Sequence, residues 1–188
     1  GETLEITVTL ENVGIDPAEN VVAVLTIDDP YVLVLDDTEQ FGTIPAGGMS
    51  ACLEDFDIRI AGACPDGHDL TAQLTITADG RPVWDAGFTI PVDAPVLSIF
   101  NVLVNDGSGG NGNGIAEPGE TVEYVMWVEN TGHEQVTGLT VVLLSGDPMV
   151  TIDIGQATTP VIAPGGVSGL DPDFVLTVSP TSLDPMEY

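Results

Sequence analysis

The sequence predicts an all-β chain made of two tandem antiparallel β-sandwiches, with about eight strands in a complete repeat. Short aliphatic runs alternate with polar residues, and Gly, Pro and Asp clusters separate those runs. The chain also aligns with itself without a gap: Gly1-Glu2-Thr3 returns as Gly119-Glu120-Thr121, an offset of 119 − 1 = 118. At that offset Glu11-Asn12 meets Glu129-Asn130, Gly14 meets Gly132, Asp29-Pro30 meets Asp147-Pro148, and Asp55-Phe56 meets Asp173-Phe174. A fixed period with shared turn residues marks one unit used twice.

The first strand is expected over Leu4–Glu11, where aliphatic residues face in and acids and threonines face out. Further strands are expected at Asn20–Ile27, Tyr31–Leu35, Phe56–Ile60, Leu70–Thr77 and Val83–Val92. Between them lie Asn12-Val13-Gly14, Asp28-Asp29-Pro30, Pro45-Ala46-Gly47-Gly48, Pro65-Asp66-Gly67 and Ala78-Asp79-Gly80, all turn formers. Asp93-Ala94-Pro95 forms a short junction, and Val96–Val104 opens the second repeat. The division is therefore 1–93 and 94–188, with Phe56/Phe174, Ile58/Leu176 and Ile60/Val178 as shared core positions. The first repeat is expected to lack its first strand and the second its last strands. Two explanations stay open: a window on a longer secreted polypeptide, or sheet edges filled by neighbouring chains.

Thirty acidic residues face two arginines, Arg59 and Arg81, and no lysine, for a net charge of −28. Nothing is present to neutralise phosphates, so nucleic-acid binding is excluded as a main role. Docking on an anionic membrane is equally disfavoured. No apolar run is long enough to span a bilayer, so direct membrane insertion is not expected. Without lysine, Lys–Asn isopeptide crosslinks are impossible.

Cys52 and Cys64 have Leu170 and Ser182 as counterparts, so both thiols are absent together from the second repeat. Joint absence points to a Cys52–Cys64 disulfide in an oxidising compartment. Against it, the strand Phe56–Ile60 lies between them and spans about 16 Å, whereas bonded Cα atoms lie roughly 4.4–6.8 Å apart. Free or interchain thiols are the alternative.

The stretch Asn105–Glu120 is the strongest candidate site. Against a calcium-loop template Asn111 and Asn113 take the third and fifth positions, Gly114 the sixth, and Ile115 offers its carbonyl at the seventh. Glu117 falls on the ninth position and Glu120 on the twelfth, where a bidentate carboxylate is needed. Gly109 stands first, so Asp106, three residues upstream, must reach in. Hard oxygen donors without His or Cys favour Ca²⁺ over zinc. The alternative is a Gly/Asn-rich turn that binds nothing.

The outward Thr7 and Thr9 of the first repeat become Val125 and Trp127, an apolar stripe that needs cover. That cover comes from the second repeat's own loops or from a contact with a neighbouring domain or chain. Trp84 reads as a hairpin residue on a sheet edge. Catalytic groups are scarce. His68 and His133 both fall in turns and are expected to be solvated, as are the paired acids Asp28-Asp29 and Asp36-Asp37.

The pattern Gly-Asn-Gly-Asn-Gly-Ile-Ala-Glu-Pro-Gly-Glu-Thr at 110–121, the alternating strand after it, Glu129-Asn130-Thr131-Gly132 and Asp147-Pro148 resemble bacterial Ig-like repeats of the CARDB and cell-adhesion kind. Cys64-Pro65-Asp66-Gly67-His68 with Trp84 and Phe88 is similar to the same modules, often found beside secreted gingipain-like or subtilisin-like peptidases. The resemblance implies tandem Ig-like sandwiches in an extracellular or cell-surface protein, with no enzymatic role of their own. The expected function is a calcium-stabilised structural repeat of a fibre, stalk or adhesive array. Its partners would be further copies or neighbouring repeats, with a surface glycan or protein receptor as another possible partner. The alternative is an accessory spacer or binding region of a secreted peptidase or glycan-active enzyme. A carbohydrate-binding module is disfavoured by the lack of an aromatic row.

Overall fold

The computed structural model describes residues 1–180, and every named element among them is a β-strand. The chain forms two compact units, Gly1–Asp93 and Ala94–Tyr188.

The first unit contains β1 (Glu2–Ile6), β2 (Thr9–Glu11), β3 (Ala18–Ile27), β4 (Val32–Asp36), β5 (Thr38–Ile44), β6 (Met49–Ala51), β7 (Phe56–Ile60), β8 (His68–Thr77) and β9 (Trp84–Val92). All ladders are antiparallel, in the orders β1-β7-β4, β2-β6 and β5-β3-β8-β9. Period-two alternation explains the core between them. Val21, Ala23, Leu25 and Ile27 point inward from β3, Phe56, Ile58 and Ile60 from β7, and Leu70, Ala72 and Leu74 from β8. Each large aliphatic or aromatic side chain buried this way contributes about 1.5–3 kcal/mol.

The second unit contains β10 (Leu97–Asn105), β11 (Thr121–Asn130), β12 (Val136–Val142), β13 (Val150–Ile154), β14 (Gln156–Ile162), β15 (Val167–Gly169) and β16 (Phe174–Val178). One sheet runs β10-β11-β16-β13 with β15 also on β11, and β12 pairs β14. Strand pairs recur at the sequence offset. Leu4 faces Ile58 as Val122 faces Leu176, and Thr9 faces Ala51 as Trp127 faces Gly169. Ala18 faces Ile44 as Val136 faces Ile162, and Val32 faces Ile60 as Val150 faces Val178. Asn20 has φ 52° and its counterpart Gly138 has φ 61°, so one left-handed position is filled by the two residue types that tolerate it.

An asparagine clip is also duplicated. Asn12 Nδ2 donates to the carbonyls of Asp16 (2.8 Å) and Ile44 (3.0 Å), and its Oδ1 accepts from Gly14 N–H (3.0 Å). Asn130 Nδ2 donates to the carbonyls of Glu134 (2.8 Å) and Ile162 (3.3 Å), and its Oδ1 accepts from Gly132 N–H (3.1 Å). Both close the turn between their strand and the next.

The structure corrects several expectations. The first unit holds nine strands rather than about eight, because Leu4–Glu11 divides at Thr7 and Val8 and because β5 and β6 escape the pattern. β5 is hard to read because its inward row contains Glu39, only 4 % exposed, whose carboxylate accepts Glu54 N–H at 3.3 Å. The Cys52–Cys64 disulfide is absent, and both cysteines are free. Cys52 follows β6 and its sulfur accepts Val8 N–H at 3.2 Å, whereas Cys64 lies beyond Ile60, which faces Glu2. Thus the thiols sit near opposite ends of the extended segment 2–8, about 20 Å apart at ~3.3 Å per residue. Burial, then the nearby Asp29 charge, raise the Cys64 thiol above its ordinary value, which disfavours the reactive thiolate. Mass spectrometry of an unreduced digest should give the two cysteine peptides unlinked. A linked pair would contradict the structure.

Candidate metal centre

The loop between β10 and β11 is anchored at both ends. Thr121 N–H donates to the Gly109 carbonyl (3.1 Å), Gly119 N–H to the Val178 carbonyl (2.8 Å), and Val178 N–H to the Glu120 carbonyl (2.9 Å). The glycines let it fold onto two carboxylates. A Cβ on Gly110 would lie 2.7 Å from Glu120 Oε1 and 3.0 Å from Asp106 Cβ, so no larger residue fits between them.

Asp106, 2 % exposed, is the group around which the loop wraps. Its Oδ2 accepts the N–H groups of Gly112 (2.9 Å) and Asn113 (3.1 Å), and its Oδ1 accepts that of Gly114 (3.1 Å). Burial alone would raise its carboxyl. The N–H donors of Gly114, Asp106 itself, Asn113 and Gly112 together outweigh burial and hold it below its ordinary value. Glu120, 9 % exposed, accepts Asn111 N–H on Oε1 (3.0 Å) and Glu117 N–H on Oε2 (3.1 Å). Asn111 Oδ1 accepts Asn113 N–H (3.0 Å) and Asn113 Oδ1 accepts Ile115 N–H (2.8 Å), two successive side-chain turns. Both asparagine amides also donate to Glu117 Oε2.

The structure therefore brings Asp106, Asn111, Asn113, Glu117 and Glu120 into one connected hydrogen-bond network. Ile115 joins through its N–H; its side chain is 61 % exposed. Asp106, rather than Gly109, supplies the first carboxylate. Three carboxylates share this loop, and the only arginines, Arg59 and Arg81, belong to the other unit. After the hydrogen bonds above, both Glu120 oxygens keep a lone pair. A hard cation fits such an all-oxygen set.

The remaining sequence candidates lie elsewhere. Val125 and Trp127 are half-buried on β11. Val125 faces Leu103 of β10, and Trp127 faces Gly169, where a Cβ would sit 3.4 Å from the indole Nε1. His68 is not a solvated turn residue: it starts β8, its Nε2 lies 2.8 Å from Asp29 Oδ2, and its ring meets Tyr31 edge-on. The hydrogen bond from His68, then that from Tyr31 N–H, lower the Asp29 carboxyl below its ordinary value. The exposure of β10 was not anticipated: Ile99 is 63 %, Phe100 59 % and Leu103 53 % exposed. Its apolar composition, broken only by Ser98, Asn101 and Asn105, was the available signal.

Compared with known proteins, the chain matches no family model and no curated protein.

Proposed function

We propose that the chain is a pair of Ig-like sandwich modules, stiffened by Ca²⁺, that serves as a non-enzymatic structural repeat of a secreted or cell-surface fibre, stalk or adhesive array. The observation that carries the reading is the Asn105–Glu120 loop. Buried carboxylates are ordinarily paired with a cation or a metal, and here Asp106 and Glu120 have backbone donors without an arginine or lysine in their unit. Asp106, Asn111, Asn113, Glu117 and Glu120, with the Ile115 carbonyl, would hold the ion. Its charge would offset the repulsion among those carboxylates and tie β10 to β11. The module reading is supported by the recurrence of strand registers and of the asparagine clip at the 118 offset. The exposed apolar row of β10 suits contact with further copies or neighbouring repeats, and an acidic surface with cations suits an extracellular setting.

Isothermal titration of the full chain with Ca²⁺ should show one site that Glu120→Ala removes. The second unit should then melt higher with Ca²⁺ than with a chelator. Trp84 and Trp127 are the only tryptophans, one in each unit, so emission from single-tryptophan variants separates the two meltings. No heat of binding and no Ca²⁺ effect on the second melting would overturn the metal assignment.

A further inference from the structure

The loop between β10 and β11 holds a second kind of chemistry. Of the seven asparagines in the chain, only Asn111 and Asn113 are followed by glycine; the other five precede valine, threonine or aspartate. An asparagine side-chain carbon is an electrophile within reach of the next backbone nitrogen. A Cβ on that next residue shields the nitrogen, and glycine removes the shield. Asn111, Gly112, Asn113 and Gly114 are all exposed, so water has access to both pairs.

The folded loop restrains each partner in that reaction. Both glycine nitrogens are tied to one carboxylate: Gly112 N–H donates to Asp106 Oδ2 (2.9 Å) and Gly114 N–H to Asp106 Oδ1 (3.1 Å). Attack requires the nitrogen to shed its proton, and the adjacent Asp106 anion opposes the charge of the resulting amide anion. The electrophiles are held as well. Asn111 Oδ1 accepts Asn113 N–H (3.0 Å), Asn113 Oδ1 accepts Ile115 N–H (2.8 Å), and both side-chain amides donate to Glu117 Oε2. Ring closure would turn each amide carbon toward its own glycine nitrogen and break these bonds.

We propose that Asn111-Gly112 and Asn113-Gly114 are a paired self-modification site, held shut by Asp106 and Glu117 and opened when the loop detaches from them. In the open loop the glycine nitrogen loses its proton and attacks the asparagine Cγ. The new C–N bond closes a five-membered succinimide as the Cγ–Nδ2 bond breaks, and Nδ2 leaves with that proton as ammonia. Water then adds to one ring carbonyl: opening at Cγ gives aspartate, and opening at the main-chain carbonyl gives isoaspartate. The net change is water in and ammonia out, with no redox partner. The product cannot be refastened. A carboxylate at 111 or 113 has no N–H to give Glu117 and repels it. Isoaspartate adds a backbone carbon to a loop so tight that a Cβ on Gly110 would lie 2.7 Å from Glu120 Oε1. The first conversion therefore speeds the second. The site needs no cation, so it stands apart from the calcium assignment.

The test incubates the full 188-residue chain in mildly alkaline buffer with a chelator throughout. Peptide mapping that resolves aspartate from isoaspartate follows each asparagine. In urea, Asn111 and Asn113 should convert ahead of the other five. Under native conditions both should slow at least about tenfold, because the reaction then waits on the open fraction of the loop. Asp106→Ala should return most of that rate while the amides of β11 stay protected from exchange. Glu117→Ala, which keeps the Asp106 bonds, should accelerate both in part and serves if Asp106→Ala does not fold. Asn113→Asp, a copy of one first product, should speed Asn111. Equal rates in urea and native buffer would overturn the proposal, as would folded variants that convert no faster than the unaltered chain. Conversion led by another asparagine would do the same. With chelator present, these rates do not depend on whether Ca²⁺ binds, so the two proposals fail separately.

Discussion

Asn130→Ala should destabilise the second unit by about 3 kcal/mol or more, and Asn12→Ala the first by distinctly less. Asn130 is 0 % exposed and makes four hydrogen bonds, to the carbonyls of Glu134 and Ile162 and from the N–H groups of Val96 and Gly132. Truncation strands several of these groups away from water, and each unsatisfied one costs about 1–3 kcal/mol. Asn12 makes three such bonds, and its half-buried setting lets water replace some of them. Denaturant unfolding followed through Trp127 for the second unit and Trp84 for the first measures both. Equal losses in the two units would show that Val96 and the deeper burial add nothing to the clip.

Asp106→Asn should be the most damaging single change in the loop. The carboxylate accepts three backbone N–H groups on two oxygens, whereas an amide turns one oxygen into an NH₂ that opposes donors. The loop should lose protection of the Gly112, Asn113 and Gly114 amides against hydrogen exchange. If the cation is held as proposed, Ca²⁺ affinity should fall at least about tenfold as well. The pH dependence has a definite sign. The folded Asp106 carboxyl lies below its ordinary 3.8, so its stabilisation is complete above that value and is lost as pH falls through the lower folded one. Amide exchange of those glycines and of Asn113 that is unchanged in the variant would remove Asp106 from the centre of the loop.

The legible parts of this fold are those where local pattern and global packing agree. Phe56, Ile58 and Ile60 alternate in the sequence and are buried on β7, as Phe174 and Leu176 are on β16. Glu39 hides β5 because its inward place is decided by a tertiary contact with Glu54, which no periodicity announces. The break at Thr7 and Val8 was equally unreadable, since alternation there is perfect. For the loop, residue types and spacing indicated the participants, including Asp106 in place of Gly109. They did not indicate that backbone amides would occupy the carboxylates. The cysteines misled because joint absence from one repeat was weighed above the length of the intervening strand.

Duplicated registers carry a hazard during folding. While the chain is still assembling, the hairpin of β8 and β9 has two similar strands to choose between, β3 and β12, which pair β5 and β14 in nearly the same register. Pairing with the wrong one would be a mis-docked intermediate of the kind that tandem domains invite. Side-chain volume separates the two. β8 packs in the first unit against Val21, Ala23 and Leu25, whereas the same inward positions of the second unit carry Leu139, Val141 and Leu143. Two enlarged side chains would overfill a core made for Leu70, Ala72 and Leu74, a penalty of about 1–3 kcal/mol. Divergence at Ala23/Val141 and Val21/Leu139 thus favours docking of the β8–β9 hairpin on β3 over β12.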